Sequence, residues 1–264
     1  MQTTKYRWIA RCLLVSVVIA LSIFLFLPAP AYAMHIAEGI LPFYPAVVWY
    51  ALSAVFVGIG IFMIKRKTQE NRGIMPLLGI TGAAIFLISC LPIPVPIAGT
   101  CSHPCGTPLA AILVGPFVST VLAALSLLIQ ALFLAHGGFT TWGANIFSMG
   151  VIGSFVGFGS FVLFRRLHTP LFFAAFAAGL FGDWATYATT AFELASGLGT
   201  EGSIWTMFTT VLIAFAPTQI PLGILEGLFT GGVVSLIYQQ RPELLDFKLA
   251  TAGIVKDSVK GESI

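Results

Sequence analysis

The chain has 264 residues, of which 58% are hydrophobic and 9% charged, and a mean hydropathy of +0.97. Soluble domains carry charge on about a quarter of their residues, so these figures exclude a water-soluble fold and point to a polytopic helical membrane protein. The formal charge of +3 belongs to the first segment alone; without Lys5, Arg7 and Arg11 the chain is near neutral and offers nucleic acid no basic surface.

In chain order, those three cations precede an apolar run from Cys12 to Leu27, then Pro28, Pro30 and Ala31-Tyr32-Ala33. This is the order of a cleaved secretory signal, and it predicts a signal peptide over 1–33 and a mature chain beginning at Met34. The long apolar run also allows an uncleaved signal anchor. Further apolar stretches fall at about 46–64, 74–91, 108–134, 145–164, 171–196 and 204–238. After the leader, Lys and Arg occur at Lys65-Arg66-Lys67 with Arg72, at Arg165-Arg166, and between Arg241 and Lys260. The positive-inside rule puts all three groups in the cytoplasm. An outside N-terminus then requires an even number of crossings between Lys67 and Arg165, and three apolar stretches lie there. Splitting 108–134 at Gly115-Pro116, where proline cannot continue a helix, restores the count. The prediction is an all-α polytopic membrane helical bundle of about seven transmembrane spans, N-out and C-in after signal cleavage. Residues 34–238 form its transmembrane domain and 239–264 a cytoplasmic tail. A re-entrant element within 108–134 is the alternative, tolerated where buried in protein or lining a cavity.

Between Gly73 and Phe164 there is no Asp, Glu, Lys or Arg. Chemistry there must come from His103, His136, Cys101, Cys105, Gln130, Asn145 and hydroxyls. A mature terminus reading Met34-His35 offers a terminal amine, the His35 amide once deprotonated, and the His35 imidazole. Three nitrogens so connected wrap one face of a divalent cobalt, nickel or copper ion. His103, in the next outward loop, can supply a fourth. Cys101 and Cys105 flank it and leave other outcomes open: a Cys-Cys-His zinc site, a disulfide, or free thiols. His136 and His168 are assigned structural roles. Asp183, Glu193 and Glu226 are acids in or near apolar segments, where an acid is costly and often functional; the structural alternative puts Asp183 near a helix start, and the others at membrane faces or hydrogen-bonded in the bundle. No Walker A pattern occurs, and H-E-x-x-H and G-x-S-x-G are also absent.

Several segments in order resemble the CbiM/NikM family, the substrate-binding S components of energy-coupling factor importers for cobalt and nickel. They are Met34-His35-Ile36 with Glu38-Gly39, the His103 loop followed by 109–116, Gln130 with Gly137-Gly138, 140–145, and 182–186. The resemblance implies a multi-pass bacterial or archaeal cytoplasmic-membrane protein that is a transporter subunit and not an enzyme. It would carry Co²⁺ or Ni²⁺ as substrate and hold no permanent cofactor. It also implies a transmembrane coupling (T) protein, ATPase subunits and a small accessory membrane subunit as partners, with corrin synthesis as a context for cobalt. Residue by residue, Met34 would give the amine, His35 the amide and imidazole nitrogens, His103 the fourth nitrogen, and Asn145 would orient the loop. Cys101 and Cys105 depart from the family pattern as possible alternative ligands. They sustain one rival from another class, a zinc-dependent membrane enzyme built on Cys101, His103 and Cys105.

Overall fold

The computed structural model describes residues 32–33, 35–90, 93–95, 100–199, 203–242 and 244–245. Met34, most of the predicted signal peptide and most of the predicted tail lie outside them. The elements are β1 (Tyr32–Ala33), α1 (Phe43–Glu70), α2 (Ile74–Ser89), β2 (Ile93–Val95), β3 (Thr100–Ser102), α3 (Thr107–Val114), α4 (Pro116–Phe133), α5 (Trp142–Arg166), α6 (Leu171–Leu198) and α7 (Ile204–Gln240). Within α5, Ile146–Ile152 is a π-helix.

Five of the described helices, α1 and α4 to α7, are long and apolar enough to cross a membrane, and α2 is a shorter apolar helix. Large hydrophobics face outward, among them Phe43, Ile80, Trp205 and Ile213, while the interior holds Ser, Thr, Gln, Asp and Glu. That inversion suits a hydrocarbon solvent, in which apolar surface needs no burial and polar groups need partners.

The predicted break at Gly115-Pro116 is present, and its two products are unequal. Gly115 takes φ +91°, which an L side chain rarely adopts, and Pro116 opens α4, where its missing N–H costs nothing. The eight residues of α3 are all buried and rise only about 12 Å. A buried half-helix of this length lies within the bundle and does not cross it alone.

Helix directions follow from facing side chains. Tyr50 meets Trp142, Trp49 meets Phe147 and Phe56 meets Phe155, so α1 and α5 run the same way. Gly153 faces Gly182 and Thr186 while Gly157 faces Ala178, so α6 runs back. Against α6, α7 is antiparallel, with Gly231 at Phe172, Gly227 at Phe176 and Gly223 at Trp184. Lys65 to Lys67, Arg165-Arg166 and Arg241 therefore share one end of the bundle, the basic end. At that end Lys67 Nζ donates to the Val114 carbonyl (3.2 Å), capping α3.

The all-α prediction holds for the bundle. Beside the bundle, β3 pairs in parallel with β1 (Tyr32 with Thr100, Ala33 with Cys101) and antiparallel with β2. These strands of two or three residues are too short to show a period of two in sequence. Asp183, near a helix start in its structural alternative, lies in the middle of α6.

Candidate metal centre

Opposite the basic end, three segments converge. The stretch after β1 carries His35, the loop between β3 and α3 carries His103, and the loop after α4 carries His136. The β1–β3 register explains the first meeting: Ala33 beside Cys101 sets the chain two residues on, His35, beside His103. The rings are close, with centroids 4.7 Å apart for His35 and His103, 4.7 Å for His35 and His136, and 5.3 Å for His103 and His136. One ring nitrogen from each lies within 4.8 Å of the others. Nitrogens sharing one ion at about 2.0–2.1 Å stand about 3 Å apart when adjacent and about 4 Å when opposite, so the three rings would close together by about 1–2 Å to ligate one ion.

The proton on two of these rings is fixed by its surroundings. Ser89 Oγ donates to the Ile85 carbonyl (2.7 Å) and so accepts from Gln130 Nε2 (2.7 Å), which turns Gln130 Oε1 toward His35 Nε2 (3.1 Å). An amide oxygen only accepts, so His35 Nε2 carries the proton and Nδ1 the lone pair. In a chelate that includes the His35 amide, Nδ1 is the nearer nitrogen. His103 Nδ1 donates to the Pro104 carbonyl (3.0 Å), leaving its lone pair on Nε2. Among the described residues, His136 Nε2 is buried without a hydrogen-bond partner. Burial first, then the neighbouring His136 charge, pushes the His103 pKa down to about 3. His35 is held well below 6.5 by burial and then by His103 and His136, and His136 is lowered by burial. All three are neutral at pH 7, the form that binds a cation.

Asn145 locks the His35 segment in place. Its Oδ1 accepts from the Ile36 N–H (2.8 Å) and its Nδ2 donates to the Ile36 carbonyl (3.2 Å), as a neighbouring strand would. Thr141 Oγ1 also donates to that carbonyl. Glu38 accepts from the Thr140 N–H, and Gly137-Gly138 admit the crossing: a Cβ on Gly138 would overlap the Glu38 backbone, and Gly137 has φ +84° with His35 Cβ 3.2 Å away from a built Cβ. Gln130→Leu is expected to free the His35 tautomer and lower metal affinity about 10–100-fold, the usual cost of losing a ligand's hydrogen-bond partner. Asn145→Ala leaves the buried Ile36 N–H unpaired at about 1–3 kcal/mol. Amide exchange at Ile36 should accelerate; an unchanged rate would remove Asn145 from this role.

Of the residues named from sequence, His35, His103 and Asn145 come together. His136, assigned a structural role, joins them; the available signal was its place beside Gly137-Gly138 after an uncharged helix. His168 lies beside the basic end. Met34 and the Cys101 side chain lie outside the described residues. The Cys105 thiol sits with Asp183 and Glu226, not with the imidazoles.

A family model described as CbiM, cobalt uptake substrate-specific transmembrane region, matches residues 35–244. The "Cobalt transport protein CbiM" of Geobacter sulfurreducens is 54% identical over 219 residues, 83% of this chain and 63% of that protein. The chain thus spans less than two thirds of that relative's length. The protein of the same name from Sorangium cellulosum is 52% identical over 213 residues, 81% of this chain and 95% of that one. Among solved structures, a truncated transition metal transporter aligns with a TM-score of 0.69 and 27% identity, covering 78% of this chain and 99% of its own.

Proposed function

The chain belongs to the CbiM family of cobalt-uptake membrane proteins, and from that premise we propose that it captures Co²⁺ or Ni²⁺ for an ATP-driven energy-coupling factor importer. It is a multi-pass membrane protein and a transporter component, not an enzyme. The names of its relatives favour cobalt. Signal cleavage after Ala33 would free the Met34 amine, so that Met34, His35 and His103 hold the ion through nitrogen, with His136 as a neighbouring donor. Cleavage would also remove β1 from the edge of β3. With the histidines outside, the basic end faces the cytoplasm, as the positive-inside rule requires.

Without a Walker A motif the chain has no such site for ATP. A transmembrane coupling protein and ATPase subunits would supply the work, together with a small accessory membrane subunit. The observation that carries the proposal is the group of three neutral imidazoles within 4.8 Å, two with the proton held on the nitrogen away from the ion. The zinc-enzyme alternative loses ground to the same geometry, since the Cys105 thiol turns from His103 toward carboxylates.

Purified, processed protein should bind Co²⁺ with nitrogen scattering in X-ray absorption. When reconstituted with its coupling and ATPase subunits it should take up Co²⁺ only with ATP. Uptake without ATP would overturn the importer mechanism, and no binding to the processed protein would overturn the capture role.

A further inference from the structure

A second group of metal-ligating side chains lies deeper in the bundle. Cys105 Sγ and one carboxylate oxygen each from Asp183 and Glu226 fall within 4.8 Å of one another, and all three residues are buried. We propose that this group is a second divalent-cation site, a station for the ion between the histidines and the basic end.

The group is built, not incidental. Glu226 is held by two backbone donors, Oε2 by the Cys105 N–H (2.7 Å) and Oε1 by the Gly106 N–H (2.8 Å). These bonds satisfy donors at the start of α3 and explain why Glu226 is there. They do not use up its lone pairs, because a carboxylate offers about four acceptor positions. Beside Asp183 they hold a second carboxylate, with which it can hydrogen-bond only by sharing a proton. Asp183 Oδ1 accepts from the Cys105 thiol at 3.7 Å, while Oδ2, on a residue with 0% exposure, has no hydrogen-bond partner among the described residues. Nor does any described Lys or Arg pair with either carboxylate. A buried carboxylate oxygen with no donor and no counter-charge is costly, and a cation supplies what is missing. The spacing suits one: tetrahedral ligation with a metal–sulfur distance near 2.3 Å and metal–oxygen near 2.1 Å sets sulfur and oxygen about 3.6 Å apart. Ligation displaces the thiol proton.

The position suits passage. Cys105 follows His103 by two residues on the chain's way into α3, and Tyr187, one helical turn from Asp183 on the histidine side, donates to the His103 carbonyl (3.3 Å). On the far side lie buried hydroxyls: Thr107, then Ser119 and Ser154, joined to each other at 2.8 Å. The direction of travel rests on the uptake proposal; ion binding at this group does not.

The test uses full-length processed protein in detergent, with Co²⁺ measured by equilibrium dialysis and X-ray absorption. The wild type should bind about two equivalents. His35→Ala with His103→Ala should keep about one, with a sulfur neighbour. Cys105→Ser with Asp183→Asn should also keep about one, all nitrogen and of unchanged affinity, which shows in the same measurement that the variant folds. Cys105→Ser alone, which retains both carboxylates, should lose the sulfur scattering. A wild type that binds a single equivalent, abolished by the histidine changes and free of sulfur, overturns the second site and leaves the first intact. Binding only at the sulfur-containing group would instead overturn the histidine site.

Discussion

His103→Ala is expected to lower Co²⁺ affinity by more than about a hundredfold, beyond the 10–100-fold typical of losing a group behind a ligand, and His136→Ala by about tenfold. His103 is wholly buried, its Nδ1 proton is engaged by the Pro104 carbonyl, and its Nε2 lone pair is fixed in direction. Burial keeps that lone pair proton-free down to about pH 3. His136 faces the same space, with its centroid 4.7 Å from His35, yet it is only partly buried and rides on a glycine-rich loop. Its loss removes a donor and a wall while leaving the chelate anchored. Equilibrium dialysis against buffered Co²⁺ separates the two variants; equal losses would give His136 the rank of His103.

The bundle was legible because its signals are summed over many residues. Apolar runs located the long helices of the described residues, and the spacing of Lys and Arg demanded an extra reversal that Gly115-Pro116 supplies. The size of α3 was not legible, because a parity rule counts reversals and carries no length. The candidate metal group was half legible. His35 was found through chemistry specific to a second position after cleavage, and His103 through its loop. His136 was missed because its meeting with His35 depends on Glu38 and Ile36 being tied to Thr140 and Asn145, contacts about a hundred residues apart in sequence. Asp183 and Glu226 were visible only as costly acids. Their pairing with Cys105 requires α6, α7 and the His103 loop to meet, which no local pattern encodes.

Signal removal should govern both affinity and its pH dependence. In the precursor the Met34 nitrogen is an amide without a basic lone pair, so a leader-retaining or acetylated chain should bind Co²⁺ more than about a hundredfold more weakly, having lost a ligand and the chelate built on it. In the processed chain that nitrogen becomes an amine with a reference pKa of about 8. His35 and His103 are already neutral, both lowered chiefly by burial, so their protons do not compete with metal between pH 6.5 and 8. Affinity there should climb about one power of ten per pH unit for each proton released by the amine and the His35 amide. A blocked terminus should lose the amine's share of that slope. Below about pH 6.5 the sign comes from linkage: an undocked segment with ordinary imidazoles takes up protons that the docked one refuses, so docking weakens as pH falls toward the folded values. Both forms should therefore fail in acid, and only the processed form should gain in base. Inserting one residue before Met34 moves His35 to third place, where the terminus supplies four nitrogens unaided. Binding in that variant should no longer respond to His103→Ala, while uptake should fail. Mass spectrometry of the terminus, with dialysis from pH 5.5 to 8.5, decides the matter: equal affinities and equal slopes for blocked and processed chains would exclude the Met34 amine from the site.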